Sequence, residues 1–217
     1  MGKRVNRVQY TLDSRGIKEL PFEEIRMILR GADPLIMHGG RTLLAKVLKG
    51  SKEKKVLELG LDHSPAYGSY KDLSLDEITA RIDWAILNGY LGIDYDYRMP
   101  LLIYTDRGWE IEKDTYTDEL LEQLRAEVKA GKYEIIHSLK DRDRRMILLL
   151  LAKIEATGDK RFIPALEAWA KLDYKKVQKA IREVISTLSQ AGERIVETGQ
   201  VVDLAEYRRR KEAAALI

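Results

Sequence analysis

The stretch "YLGIDYDYRMPLLIYT" (Tyr90–Thr105) decides the fold. Ile93, Tyr95 and Tyr97 alternate with Asp94 and Asp96, the period of a half-exposed strand. A polar tip near Asp96–Pro100 follows, and then a second apolar run to Thr105. The segment therefore reads as two strands joined in a hairpin.

The chain before this hairpin has a helical period. "RVQYTL" (Arg7–Leu12) is a short strand or lead-in, broken by "DSRG". "PFEEIRMILRG" opens with Pro21, carries Glu23 and Glu24 in its first turn and stops at Gly31. "GGRTLLAKVLKGS" puts Leu43, Leu44, Val47 and Leu48 on one face, and "KEKKVLELGL" is a shorter helix. After the turn "DHSPAYGSYKD", Ser74 and Glu77 form a capping box for a helix that runs to Gly89. Three helices followed by a hairpin make a winged helix, a variant of the helix-turn-helix.

From Thr117 onward the pattern is helical throughout. "DELLEQLRAEVKAGK", "DRRMILLLLAKIEATGD", "RFIPALEAWAKLD" and "YKKVQKAIREVISTLSQAG" are separated by Gly and Asp breaks, with Gly131, Gly158 and Gly192 at helix ends. Val177, Ile181, Val184, Ile185 and Leu188 share a face. The polar run "IEKDTYTD" (Ile111–Asp118) marks the join between domains, placed at 1–114 and 115–217. "VVDLAEYRRRKEAAALI" is a last helix or a tail. The expected architecture is mostly α: an N-terminal winged helix, then an all-α domain.

Composition narrows the function classes. With 45% hydrophobic and 34% charged residues among 217, the chain can bury a core and still carry a charged surface. Its longest apolar run, near Met146–Ile154, is too short to span a membrane. The first ten residues lack the apolar run of a secretory signal. The absence of cysteine excludes disulfides and thiolate metal sites and fits a cytoplasmic protein. Net charge is only +3, so any polyanion contact must come from local patches.

Several segments, in order, resemble the RecQ C-terminal (RQC) domain, the DNA-binding winged helix of RecQ-family helicases. They are "VLKGS" (Val47–Ser51), "AYGSYKDLS" (Ala66–Ser74), "ITARIDWAILNGYL" (Ile78–Leu91) and "LLIYTDRGWE" (Leu101–Glu110). The last looks like the family's closing strand. The similarity is greatest to small stand-alone bacterial members that lack a helicase motor. It implies binding to duplex or junction DNA, with a hairpin wing pressed against the end of base pairs, and a nucleoid location. No Gly-x-x-x-x-Gly-Lys-Ser/Thr loop is present in these residues, so the resemblance does not imply unwinding. "GDKRFIPALEAWAKLDYKKVQKAIREVISTL" resembles one HEAT-type helical pair.

The candidate contacts follow from charge and position. Residues 41–55 hold six basic side chains against one acidic, the densest basic stretch. Of these, Arg41, Lys49, Lys52, Lys54 and Lys55, with Ser51, are the expected phosphate contacts; a helix start after Ser51 would add free amides. The alternative is a solvated, screened face. Tyr70, Lys71 and Ser74 extend the set at the following turn, where Tyr67 and Tyr70 serve equally well as packing residues. At the hairpin tip, Tyr97 and Met99 offer a stacking surface and Arg98 a flanking cation. The helix Ser74–Gly89 carries Asp76, Glu77 and Asp83 on the face opposite Leu75, Ile78, Ile82, Ala85 and Ile86. Phosphates would be repelled there, so this helix is not expected to read bases in the major groove.

A second basic patch lies on the late helix, at Lys175, Lys176, Lys179 and Arg182, where a solvated helical face is the alternative. His38, His63 and His137 have no paired ligand spacing, and no carboxylate set forms a catalytic motif, so no metal, cofactor or catalytic residue is expected. The expected function is non-enzymatic DNA binding at duplex ends, forks or structured DNA. The competing class is a protein-interaction adaptor that uses the winged-helix and helical-repeat surfaces, with the C-terminal helices as the partner site.

Overall fold

Pro21 sets the start of the first helix, α1 (Phe22–Ala32), and a 3-10 turn at Asp33–Leu35 follows it in the computed structural model, which describes residues 11–198. The expected strand at Arg7–Leu12 falls mostly outside the described residues, as does the segment from Gly199 that holds "YRRRKE". The chain divides between Asp118 and Glu119 into two units.

In the first unit, α2 (Arg41–Lys49) ends at Gly50, which adopts the left-handed conformation at φ 76°. A Cβ at that position would sit 3.0 Å from the Cα of Gly68, so glycine satisfies both the dihedral and the close approach of two backbones. α3 (Lys54–Glu58) is a single short helix. α4 (Leu75–Leu87) starts with the capping box: the Glu77 amide donates to Ser74 Oγ, and the Ser74 amide donates to Glu77 Oε2 at 2.8 Å. β1 (Leu91–Asp96) and β2 (Met99–Tyr104) pair antiparallel, from Leu91 opposite Tyr104 to Asp96 opposite Met99. The Met37 amide donates to the Leu102 carbonyl, and the Leu102 amide to Gly39, so the connection before α2 flanks β2 on its other edge.

This is the winged-helix arrangement that the alternation in Tyr90–Thr105 predicts. Ile28, Leu29, Leu44, Leu48, Ile78 and Ile82 are fully buried at its centre, joined by Leu91 and Leu102 from the hairpin. Burial of such side chains contributes about 1.5–3 kcal/mol each.

The polar run 111–118 is no exposed connection. It lies inside α5 (Asp106–Lys129), where Glu112, Thr115 and Thr117 are buried. Their polarity is matched by partners: Arg30 Nη1 lies 3.4 Å from Glu112 Oε1, and Arg26 Nε donates to Thr115 Oγ1 at 3.0 Å. The Arg30 guanidinium also sits 4.1 Å from the centroid of Tyr116. The segment matching the family's closing strand stops at Tyr104, and Asp106 begins the helix.

The second unit is all-α among the described residues. α6 (Ile136–Leu139) is short, α7 (Arg144–Thr157) is capped by Asp143, and α8 (Ile163–Ala170) follows a 3-10 turn at Lys160–Phe162. The Asp159 side chain accepts from the Arg161 amide at 2.9 Å and so opens that turn. α9 (Lys175–Thr198) packs against both α7 and α8. Trp169, Phe162, Leu166, Leu150 and Ile181 form its interior. Gly192, expected to end a helix, is crossed by α9, which tolerates the roughly 1 kcal/mol propensity cost of an internal glycine.

Candidate nucleic-acid interface

The bend after α2 is held from three sides. The Ser51 amide donates to the Lys46 carbonyl, the Gly68 amide to Val47, and the Tyr70 amide to Leu48 at 2.8 Å. The Tyr67 hydroxyl donates to the Ser51 carbonyl at 3.1 Å. The turn 64–73 is thereby laid against the C-terminal end of α2.

That anchoring takes several of the expected contacts into the fold. Lys49 Nζ donates to the carbonyls of Lys71 and Leu73 at 2.6 and 2.7 Å, so its ammonium caps the turn leading to α4. Arg41 Nη1 lies 2.6 Å from Asp83 Oδ1. Asp83, placed on the outer face by the helical period, is 2% exposed, whereas Leu75, assigned to the apolar face, is 44% exposed. The Ser74 hydroxyl donates to Glu77 Oε2 at 2.6 Å and accepts from its amide. Those bonds from Ser74 hold the Glu77 carboxyl below the usual carboxylate range. The Tyr70 hydroxyl donates to Glu24 Oε2 at 2.9 Å, and burial pushes its phenol pKa up, reinforced by that carboxylate. Arg41, Lys49, Tyr70 and Ser74 therefore each have intramolecular partners, Ser74 while still exposed.

Ser51 does not begin a helix. Helix α3 starts at Lys54 with Glu53 at its cap, and Ser51 Oγ accepts from the Glu53 amide at 3.2 Å. The expected free amides after Ser51 are replaced by an extended step that ends in an acidic residue. Lys46 Nζ is also neutralised, at 2.7 Å from Glu53 Oε2.

Lys52, Lys54, Lys55 and Lys71 remain exposed. Lys54 reaches Glu58 at 3.5 Å, but the two side chains are 87% and 61% exposed, so this pair competes weakly with another anion. The exposed cationic surface is thus smaller than the basic count of residues 41–55 suggests, and it centres on Lys52, Lys54 and Lys55.

α4 presents few positive groups. Asp76 accepts from Arg15 at 2.8 Å, and Arg81 Nε donates to Glu24 at 3.1 Å. Its cation is committed beside the Tyr70 ring, 5.8 Å away. The expectation that this helix does not insert into a major groove rests on these pairs and no longer on Asp83.

The hairpin tip is a two-residue turn, Tyr97–Arg98. Tyr97 has φ 54°, in the left-handed region where glycine is favoured, and is 69% exposed. The Arg98 guanidinium lies 5.6 Å from its ring centroid, and Met99 is 63% exposed beside it. Met37, not singled out by the sequence, has φ 62° and is 51% exposed; with Asp94, Tyr95, Asp96 and Leu101 it lines a cavity of about 250 Å³ along the wing. Only the pairing of Met37 with β2 brings it there, a long-range contact without a local signal. The two aspartates restrict anion contact to the apex.

In the second unit, Lys175, Lys176, Lys179 and Arg182 are exposed on α9, and Lys179 approaches Glu183 at 4.0 Å. Among the described residues no group of histidine and carboxylate side chains could hold a metal ion, and no helix is long and apolar enough to cross a membrane.

The family model of the RQC domain matches residues 22–127. The ATP-dependent DNA helicase RecQ of Bacillus subtilis (strain 168) is 30% identical over 117 residues, covering 54% of this chain and 20% of the helicase. The chain thus spans about a fifth of the length of that relative. No solved structure gives a significant match.

Proposed function

We propose that this protein, whose residues 22–127 match the family model of the RQC domain, binds DNA at duplex ends or forks without itself catalysing a reaction. Lys52, Lys54 and Lys55, with Lys71, hold the phosphate backbone. The wing places Tyr97 and Met99 on the terminal base pair, and Arg98 on a flanking phosphate. RecQ's description as a DNA helicase favours a setting in DNA replication or repair.

The observation that carries this reading is the apex of the wing. A tyrosine sits where a two-residue turn favours glycine, with its ring exposed and a methionine and an arginine beside it. Holding a non-glycine residue there costs about 1–2 kcal/mol, while the ring stays largely exposed beside Arg98. Such strain fits a side chain kept for an external ligand. The apolar apex favours an exposed base-pair face, and the exposed lysines after Gly50 favour phosphate.

Gel-shift titration against blunt duplex, forked, single-stranded and quadruplex DNA at two salt concentrations tests the reading. Salt-sensitive binding with preference for the fork supports it. Absence of salt-sensitive binding to any duplex or fork overturns it and favours the adaptor class.

A further inference from the structure

The second unit contains a cleft of about 410 Å³ where residues 140–147 meet residues 173–177. Lys140, Arg142, Arg144, Lys175 and Lys176 line it together with Tyr174. Asp173 is the one acidic lining residue. Its two oxygens are already occupied: Oδ2 accepts from Trp169 Nε1 at 2.7 Å and Oδ1 from the Tyr174 amide at 2.7 Å. The floor is apolar, formed by buried Ile147 and Val177.

Tyr174 combines a fixed backbone with an exposed ring. Its amide is held by Asp173, and its carbonyl accepts from the amides of Val177 and Gln178, each at 2.9 Å. Gln178 Nε2 adds a bond to the Asp173 carbonyl at 2.7 Å. The side chain is nevertheless 62% exposed, with Lys140 Nζ 5.1 Å from its centroid. A pre-positioned aromatic ring surrounded by cations is what an unpaired base with flanking phosphates requires. A duplex hides its base faces in the stack except at its ends, so along its length it could use the cations but not the ring.

We propose that this cleft binds single-stranded DNA, with a base stacked on Tyr174 and neighbouring phosphates held by Lys175, Lys176 and the cations at 140–144. The inference rests on the DNA reading of the first unit for its setting alone: the unpaired strand of a fork supplies the ligand.

The test uses the full chain and a fluorescent oligothymidylate, followed by anisotropy at low salt. Tyr174→Ala should weaken oligothymidylate binding roughly five- to a hundredfold, and Tyr174→Phe should retain it. The double variant Lys175→Ala/Lys176→Ala should weaken binding and flatten its salt dependence. Blunt-duplex binding should be unchanged by Tyr174→Ala. The proposal is overturned if the wild-type chain does not bind the oligonucleotide. It is also overturned if Tyr174→Ala binds as the wild type does, or if Tyr97→Ala alone abolishes binding. Tighter binding of oligouridylate than of oligothymidylate would overturn the assignment to DNA. If duplex binding is absent while the oligonucleotide still depends on Tyr174, the first unit's reading fails and the cleft stands.

Discussion

Arg41 Nη1 bridges both carboxylate oxygens of Asp83, at 2.6 and 2.7 Å, with the two side chains only 15% and 3% exposed. The first residue of α2 is thereby tied to the middle of α4. The Asp13 amide donates to the same carboxylate at 2.9 Å, which fastens the N-terminal segment to the pair. The arrangement engages the guanidinium of an arginine at the head of a basic stretch within the fold. It also explains an aspartate between Ile82 and Trp84 in an otherwise apolar run of α4.

Removing one partner strands a buried charge. Arg41→Ala is expected to destabilise the protein by about 3–5 kcal/mol, and Asp83→Ala by a similar amount. Urea unfolding measures both. A chain with Arg41→Ala that keeps its unfolding midpoint but loses DNA affinity would return Arg41 to the interface.

Among the described glycines, Gly108 sits closest to another backbone. A Cβ there would lie 1.9 Å from the Tyr90 carbonyl oxygen, where α5 leaves the hairpin. Gly108→Ala is therefore expected to cost about 1–3 kcal/mol or more through displacement of the helix. Thermal unfolding that matches the wild type would show that α5 can shift without loss.

Tyr97 separates stability from function. Tyr97→Gly relieves the left-handed strain and is expected to stabilise the hairpin by about 1 kcal/mol. The same change removes the stacking ring and should weaken fork binding by about 1–3 kcal/mol, with a smaller loss on internal duplex. Equal losses on fork and on closed, end-free duplex would remove the wing's role at base-pair ends.

The local signals in the sequence were enough for the helices and the wing. Ser74 and Glu77 mark a start that the capping box confirms, and the alternation from Ile93 to Tyr97 is the pleat of β1. The site was less legible because its charges are sorted by partners far along the chain. Asp83 is 42 residues from Arg41, and Lys71 is 22 from Lys49. A count of residues 41–55 sees neither. That the segment 111–118 is partly buried could not be read locally, because Thr115 and Glu112 pair with Arg26 and Arg30, 89 and 82 residues earlier. The cleft around Tyr174 was half legible: Lys175 and Lys176 stood out at the start of α9, but Lys140 and Arg144 come from a segment far earlier in the chain.

The exposed lysines after Gly50 are the proposed hold on the DNA backbone, and the salt dependence of forked-DNA affinity probes them most directly. Each phosphate contact contributes about −0.9 to the slope of log K against log salt. Replacing Lys52 and Lys55 by alanine should weaken binding to all sequences alike and make that slope shallower by about 2. An unchanged slope, with affinity equal to the wild type, would contradict the placement of the DNA backbone on this surface.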